Sequence, residues 1–348
     1  MIKREWCQLA KKYILFGAGH NGRRMLNIIG KENVKFFVDN DIKKQGHHLC
    51  GVSIYSPIKI QSEKNAQVII CVIEEYVKQI EQQLERMGVT LYESASAFLE
   101  KSPVEHMEII KKLYNIYAGR RCFIIGTGPS LRIEDLEKLK RENEITFASN
   151  KIFKLFNDTK WRPDLYCISD TEVFSFYYDI IMNLDVKMQF LVNLTGLNNN
   201  YYDFHEQCKE NQYVFNIYKQ VIEQDGIFYP AFSKEPFKYI VDGGITVTYS
   251  MLQWAYFLGF DEVYLLGVDF DYQDTSGKDD SKVDHFCDNY IEEGEVVNAP
   301  KIADSLKAYQ VAGKFLGKKK FDIYNATRGG KLEVFERVSF DELFEKKE

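Results

Sequence analysis

The chain has 348 residues, of which 45% are hydrophobic and 14% aromatic, so a globular protein with room for two domains is expected. Its formal net charge is −6 at pH 7 with both signs mixed along the chain, which argues against a broad nucleic-acid surface. Seven scattered cysteines without CxxC pairs, and no apolar segment of membrane-span length, predict a protein of the reducing cytoplasm.

Strand and helix patterns alternate in the first block of the chain, residues 1–95. The apolar runs and helical periodicities predict strands and helices, in order 13–16, 20–30, 34–39, 67–73 and 75–87, of which the second and the last are helical. Strands that alternate with helices predict a parallel sheet with right-handed crossovers. A helix-rich connector follows over 96–119, where one helical face carries Met107, Ile109, Ile110, Leu113 and Ile116.

The second block, residues 120–348, repeats this alternation on a larger scale. Six strands are predicted, at 122–126, 145–150, 164–170, 187–193, 262–270 and 320–326. The segment 245–259 is apolar on nearly every side, which predicts a helix buried against the sheet and closing at Gly259. The predicted fold is therefore α/β, with two doubly wound Rossmann-like domains and mostly parallel sheets.

A first glycine loop, "FGAGHNG", follows the first predicted strand. Gly17, Gly19 and Gly22 have G-x-G-x-x-G spacing, and Asp39 ends the next strand 20 residues beyond Gly19, where an acceptor for a ribose hydroxyl is expected. Two interpretations stay open. The loop binds a nucleotide or nucleotide-sugar, or it is a tight strand-to-helix turn in a domain that serves as a scaffold.

A second glycine loop, "IIGTGPSL", follows the strand that opens the second block. Its glycines permit close approach to a ligand, and the loop consists of Gly126, Thr127, Gly128, Pro129 and Ser130. A buried strand that breaks into glycines before a helix is typical of an anion site, and Pro129 is expected to preorganise the first helical turn. No lysine stands in the Walker position, so this is not a P-loop NTPase.

Polar residues follow several other strands of the second block, where the strand ends of a doubly wound sheet converge. They are Asn150, Asp170, Asn193, Asp269 and Asp271. A further glycine loop brings Gly244 and Thr246 to the start of the buried helix. His285, in the polar loop "KVDHFCDNY", is a candidate general base, and the alternative is an exposed loop histidine.

The motifs "GTGPSL", "ASN", "RPDLYCISD", "GGITVTYSMLQWAYFLGFDEVYLLGVDF" and "IYNATRGGKLEVFERVSFDEL" occur in this order. In this they resemble the MptE-like 6-hydroxymethylpterin diphosphokinase superfamily, which also contains motility-associated flagellin glycosyltransferases. The glycine loop and the "YLLGVDF" strand are also similar to those of bacterial lipooligosaccharide sialyltransferases. The first block resembles small Rossmann-like domains of polysaccharide-assembly proteins, through "GAG", "VDND" and "GVSIYSP".

The sialyltransferase resemblance implies transfer of a nonulosonic acid from a CMP-sugar donor to a glycan or protein hydroxyl, without a metal cofactor. The implied donor site comprises Gly126, Thr127, Gly128, Pro129, Ser130, Asn150, Asp170, Gly244, Thr246 and Asp269. His285 is then the base that deprotonates the acceptor, and Tyr272 and Tyr290 are candidates for the phosphate-binding tyrosines. The aromatic-rich segment 172–232 is either an acceptor platform, since sugars stack on aromatic rings, or the packing of a lid.

The diphosphokinase resemblance implies a different reaction, pyrophosphoryl transfer from ATP to a hydroxymethylpterin. That chemistry requires Mg²⁺, for which Asp170, Asp269 and Asp271 are the candidate ligands. A non-catalytic nucleotide-binding scaffold is a third alternative. The basic run Lys318 to Lys320 is a solvated turn or, alternatively, a contact for peripheral membrane association. The sequence favours no particular oligomeric state.

Overall fold

The computed structural model describes residues 13–63, 65–101, 107–194, 208–244, 246–271, 285–287, 289–295, 301–314 and 320–345. The chain forms two compact units, one containing a six-stranded sheet and the other an eight-stranded sheet. Both sheets are mostly parallel, and helices connect their strands. The predicted fold class, two doubly wound Rossmann-like α/β domains, is thereby confirmed.

The first unit is built on the six-stranded sheet. Its elements are β1 (Tyr13–Phe16), α1 (His20–Ile29), β2 (Val34–Val38), β3 (His48–Leu49), β4 (Val52–Tyr55), β5 (Gln67–Ile70), α2 (Glu74–Arg86), β6 (Tyr92–Ser94) and α3 (Ala95–Lys101). The strand order is β3-β4-β2-β1-β5-β6, and only the β3–β4 pair is antiparallel. The central strands β1 and β5 are apolar on both faces because helices cover a parallel sheet on both sides.

The second unit begins with α4 and continues with an eight-stranded sheet. Its elements up to the buried helix are α4 (Met107–Lys111), β7 (Arg121–Ile125), α5 (Ile133–Arg141), β8 (Ile145–Ser149), β9 (Leu165–Ile168), α6 (Thr171–Phe176), α7 (Tyr178–Met182), β10 (Met188–Val192), β11 (Gln212–Phe215), β12 (Ile217–Tyr218), β13 (Val221–Gln224), β14 (Ile227–Pro230) and β15 (Ile240–Val241). The remaining elements are α8 (Val247–Leu258), β16 (Glu262–Leu266), α9 (Ile302–Lys314), β17 (Asp322–Asn325) and β18 (Glu336–Arg337).

The order of strands in the larger sheet is β11-β10-β9-β8-β7-β16-β17-β18, with every pair parallel. From β7 the chain moves outward through β8 to β11, then returns and builds the other half from β16 to β18. The order therefore reverses between β7 and β16. In open α/β sheets a ligand crevice forms at such a reversal, beside the carboxyl ends of the strands.

The helix α8 confirms the prediction for 245–259. Ten of its residues are buried, and it ends at Gly259, whose φ of 90° is left-handed and suits a glycine. Its one large polar core residue is Gln253, and both the oxygen and the nitrogen of its side-chain amide are hydrogen-bonded. The Gln253 side chain accepts from the amides of Ser233 and Val241 and donates to the carbonyls of Val241 and Tyr249.

The connector differs from its prediction, because α3 and α4 are short and no helix is found over 112–119. There the amides of Asn115 and Tyr117 donate to the carbonyls of Phe257 and Leu258, at the C-terminal end of α8. Those bonds satisfy carbonyls that the end of α8 leaves open and replace the helical bonds of the connector. Of the residues on the predicted helical face, Ile110 and Leu113 are buried, whereas Ile109 and Ile116 are exposed.

Among the described residues, none of the helices has both the length and the apolarity required to cross a bilayer. Of the predicted basic run, Lys318 and Lys319 lie outside the described residues, and Lys320 pairs with Asp261 at 3.3 Å. In the aromatic-rich segment, Phe174 and Tyr177 are buried whereas Phe176 is exposed. Part of that segment, residues 195–207, also lies outside the described residues.

Candidate functional site

The second glycine loop lies at the reversal between β7 and β16. The amide of Gly126 donates to the carbonyl of Leu266 at 2.8 Å, and that of Gly128 donates to the carbonyl of Gly267 at 2.9 Å. A Cβ on Gly126 would lie 2.3 Å from the carbonyl oxygen of Gly267. Only glycine permits this approach, so the segments that follow β7 and β16 pack backbone against backbone.

Asp269, in the segment after β16, binds the C-terminal end of the second glycine loop. Its Oδ2 accepts from Ser130 Oγ at 2.9 Å and from the Ser130 amide at 3.4 Å. Burial raises the pKa of the Asp269 carboxyl, although its hydrogen bonds with Ser130 oppose that effect. Because Asp269 holds Ser130, the chain makes a turn from Gly128 to Leu131 before α5 begins at Ile133. Pro129 therefore lies in this turn and not, as predicted, in the first helical turn.

The segment after β17 supports Asp269 from the other side. The amide of Lys331 donates to the Asp269 carbonyl at 2.7 Å, and a Cβ on Gly330 would lie 2.5 Å from the same oxygen. Arg328 fixes this segment to α5, since its guanidinium binds Asp135 through two hydrogen bonds of 2.9 Å. The same guanidinium binds Asp341 at 2.8 and 2.9 Å. Neither Arg328 nor its partners were singled out in the sequence.

His285 lies beside the glycine loop. The amide of the next residue, Phe286, donates to the Thr127 carbonyl at 3.1 Å. The imidazole stacks on the Tyr290 ring, with centroids 3.7 Å apart and planes inclined by 16°. Its Nδ1 is buried and has no hydrogen-bond partner among the described residues. Burial, together with the charge of Lys151, lowers the pKa of His285 to about 4, so the imidazole is neutral at pH 7.

A buried ion pair lies behind this stack. Lys151 Nζ is 2.6 Å from Glu295 Oε1, and the two side chains are only 3% and 1% exposed. The ammonium lies over the Tyr290 ring, 4.1 Å from its centroid. Sequence reasoning missed both residues because a lysine after a strand and a glutamate in a polar loop are typical of solvent-exposed positions.

Asn150 precedes this lysine at the end of β8. Its φ of 49° is left-handed, a conformation that asparagine tolerates better than most residues. The Asn150 carbonyl accepts from the Tyr166 hydroxyl at 2.6 Å. The side-chain Oδ1 is buried without a partner among the described residues, which is uncommon for a polar atom.

Other predicted site residues have contacts elsewhere in the second unit. Asp170 caps α6, where its carboxylate accepts from the amides of Glu172 and Val173. Gly244 packs against the start of α9. Its carbonyl accepts from the amide of Lys301, just before that helix, and from the hydroxyl of Ser305. The Thr246 hydroxyl lies 3.0 Å from the Tyr309 hydroxyl on α9. The described contacts of these three residues are therefore structural. The candidate Tyr272 lies outside the described residues.

The three candidate magnesium ligands do not form one ligand set. Asp170 is a helix cap, Asp269 binds Ser130, and Asp271 pairs with Lys331 at 2.5 Å. Over the described ranges, no three acidic, histidine or cysteine side chains are gathered as a metal ion requires. Within the described ranges, the candidate residues therefore do not fit a preformed magnesium site.

The first glycine loop has a different environment. Gly17 has a φ of 112°, and a Cβ on Gly22 would lie 2.0 Å from the Gly17 carbonyl oxygen, so both positions require glycine. Asp39 Oδ2 accepts from the Ala18 amide at 2.7 Å and pairs with Lys44 at 3.0 Å. The carboxylate predicted to bind a ribose thus holds the loop itself. These contacts favour the tight-turn interpretation over nucleotide binding.

A glycine loop and an acidic strand end that meet where the strand order of a parallel sheet reverses are typical of Rossmann-like proteins. Residues 96–275 match the family model "6-hydroxymethylpterin diphosphokinase MptE-like", so the chain belongs to that family. Residues 9–94 match the model "C2185-like, N-terminal". The predicted superfamily is thereby confirmed. The match ends at residue 275, however, and so does not include His285.

Comparison with solved structures gives a distant likeness to a MAf glycosyltransferase from Magnetospirillum magneticum AMB-1. The identity is 15% and the TM-score 0.39, over 95% of this chain and 58% of that one. The chain thus spans little more than half the length of that protein. No curated protein matches the chain.

Proposed function

We propose that this chain is a transferase that moves a sugar of the nonulosonic-acid type from a CMP-activated donor to a glycan or protein hydroxyl. The donor phosphate binds at the loop 126–130, and His285 is the general base. The observation that carries this proposal is the meeting of the glycine loop, Asp269 and the His285 segment beside the reversal between β7 and β16.

The loop's hydrogen bonds indicate which of its groups serve the donor. In the described part of the chain the amides of Gly126, Gly128 and Ser130 have protein acceptors, and Pro129 has no amide hydrogen. Thr127 is therefore the loop residue whose N–H is left to stabilise the phosphate as negative charge develops on it. Asp269 is an acceptor and repels a phosphate, so it suits a hydroxyl or amino group of the donor nucleoside.

The chemistry of His285 is consistent with the role of a base. The imidazole is uncharged at neutral pH, and its Nδ1 has no partner among the described residues, so a ring nitrogen is available to take a proton. A bound anionic donor would raise the proton affinity of this imidazole, because a nearby negative charge favours the imidazolium. The base would then gain strength when the donor is in place.

Calorimetric titration with CMP and with ATP, each with and without Mg²⁺, tests the proposal. CMP binding that is independent of the metal supports sugar transfer, and His285→Ala should retain that binding while reducing turnover by about 10²–10⁴-fold. Unchanged turnover in His285→Ala would remove the histidine from the mechanism. Ligand binding without any transfer reaction, unaffected by either His285→Ala or Asp269→Asn, would indicate a nucleotide-binding scaffold instead.

Pyrophosphoryl transfer from ATP is the second candidate, because the family to which the chain belongs is described by a diphosphokinase. In this reaction Asp269 and Asp271 would have to hold the Mg²⁺ that pyrophosphoryl transfer requires. The present partners of these carboxylates, Ser130 and Lys331, would have to be displaced. Mg²⁺-dependent ATP binding with no response to CMP would select this candidate over sugar transfer.

A further inference from the structure

Lys151 and Glu295 form an ion pair whose role the proposed reaction leaves open. They are 144 residues apart in sequence, and both side chains are almost completely buried. Burial of two charges is expensive, and replacement of such pairs by apolar residues is often neutral or stabilising. A role beyond simple stability therefore has to be sought in what the pair contacts.

The pair is connected to His285 through one aromatic ring. Lys151 Nζ lies 4.1 Å from the centroid of Tyr290, and the imidazole of His285 stacks on the same ring at 3.7 Å. Tyr290 itself is buried. Lys151 and His285 therefore both contact the Tyr290 ring, and a shift of that ring would move the imidazole.

Glu295 holds the lysine and its own segment together. Its Oε2 accepts from the Tyr177 hydroxyl at 3.1 Å and from the Glu292 amide at 3.2 Å, while Oε1 binds Lys151. The same segment is bound to the glycine loop at its other end, where the Phe286 amide donates to Thr127. The residues around His285 are therefore anchored at the glycine loop and at the end of β8.

The charges that act on the imidazole come from the same pair. Lys151 lowers the pKa of His285 and Glu295 raises it, in addition to the effect of burial and of the Thr127 backbone. The two side chains carry opposite charges, so together they leave little net charge beside the imidazole. Either one alone would leave a buried, unbalanced charge.

We propose that Lys151 and Glu295 are positioning residues for His285, which hold Tyr290 against the imidazole and balance the charge beside it. The proposal rests on the proposed function insofar as His285 is taken to act as the base. The placement of the imidazole, however, is testable without any substrate.

The test is an NMR titration of the histidine imidazoles in the full-length chain, with His285→Gln used to assign the His285 signal. Lys151→Met leaves Glu295 and should raise the titration midpoint of His285 by roughly one pH unit. Glu295→Gln leaves Lys151 and should lower it by a similar amount. The double variant Lys151→Met/Glu295→Gln removes both charges, and its midpoint should lie between those of the single variants.

Glu292→Gln is the matched control, because it removes the same type of charge from the same segment. Glu292 pairs with Lys154 and is 49% exposed, so solvent screens its charge and the titration midpoint of His285 should stay unchanged.

If a single variant does not fold, the double variant Lys151→Met/Glu295→Gln replaces it, since the double variant buries no unbalanced charge. Its imidazole should lose part of the upfield ring-current shift that stacking on Tyr290 produces, because neither side chain of the pair then holds the tyrosine ring in place; a full shift would contradict the positioning role.

The proposal is overturned if the folded Lys151→Met variant leaves the His285 midpoint unchanged, or if both single variants move it in the same direction. An absence of CMP binding would defeat the proposed reaction but would leave these opposite shifts intact. Conversely, unshifted midpoints in a chain that binds CMP would defeat the positioning role alone. In an active enzyme, the acid limb of the kcat profile should move in the same direction as the midpoint.

Discussion

The two glycine loops of this chain have the same place in their sheets but different chemistry. Each follows the central strand where the strand order reverses, and in each an aspartate accepts a hydrogen bond from the loop. In the first loop that aspartate, Asp39, is also paired with Lys44. In the second loop Asp269 has Ser130 as its partner and, among the described residues, no basic side chain.

The two loops thus differ in whether the charge of the aspartate that binds the loop is paired with a basic side chain. Asp39 has its charge compensated within its own domain, so it stabilises the turn. Asp269 binds Ser130 of its loop, and in the part of the chain that the structure describes no basic side chain pairs with it. Two buried polar atoms of the same unit, His285 Nδ1 and Asn150 Oδ1, have no hydrogen-bond partner among the described residues. Groups with perturbed pKa values and unsatisfied polar atoms are typical of functional sites.

The largest effect is expected from a side chain placed in the second loop. A Cβ on Gly128 would lie 1.9 Å from Asp269 Oδ2 and 2.8 Å from the Gly267 carbonyl oxygen. Gly128→Val should therefore push the second glycine loop away from the segment that follows β16. We expect CMP affinity to fall about 100-fold, or about 3 kcal/mol, in calorimetric titration. Gly19→Val is the control in the first loop, since a Cβ there meets nothing within 4 Å. Equal loss in both variants would contradict the distinction between the loops.

A smaller effect is expected from the pH dependence of stability. The pKa of His285 is lowered to about 4, so below its unfolded value near 6.5 the unfolded chain binds the proton more readily. Stability should therefore fall as the pH drops from 6.5 towards 4. The contribution of His285 between pH 7 and pH 5 amounts to about 2 kcal/mol.

Urea unfolding of the wild type and of His285→Gln at both pH values measures this contribution. The variant should lose less stability on acidification than the wild type. His47→Gln changes an exposed histidine in the first domain and should behave as the wild type does. An identical pH response of all three proteins would place the His285 imidazole in solvent.

The smallest effects are expected from replacement of the two loop aspartates, Asp39 and Asp269, and the change in Tm should differ between the two variants. Asp39→Asn loses the ion pair with Lys44 and weakens the bond from Ala18, which should destabilise the first domain by about 1 kcal/mol. Asp269→Asn removes a carboxyl whose pKa is raised by burial, and therefore a charge that is unfavourable at pH 7. Thermal unfolding should show a lower Tm for Asp39→Asn and an unchanged or higher one for Asp269→Asn. A lower Tm in both would contradict this contrast.

Much of the architecture could be predicted because local patterns determine it. Continuous apolar runs identify β1, β7 and β16, and the end of α8 at Gly259 follows from the glycine that ends an apolar helix. The short strands β11 to β15 and the helix α9 were not predicted. Their sequences mix aromatic, charged and β-branched residues without a clear period, and the hairpin β13–β14 has three exposed positions of four in its first strand.

The candidate site could be predicted in part, since strand ends and glycines carry a local signal. The loop 126–130, Asp269 and Asn150 were found in this way. Lys151 and Glu295 were missed because a lysine is recognised as buried only when its partner is known, and that partner is 144 residues away. For Asp170, Gly244 and Thr246 a binding role stays a prediction, because caps and turns use the same residue types as ligand sites.

The parallel pairing of β16 with β17 has a consequence for anyone who wishes to dissect the chain. A fragment that stops at residue 275, where the family match ends, lacks β17 and leaves the edge of β16 unpaired. It also leaves Asp135 buried without the guanidinium of Arg328. A fragment that keeps the second glycine loop and both carboxylate partners of Arg328 must therefore extend at least to Asp341, well beyond residue 275.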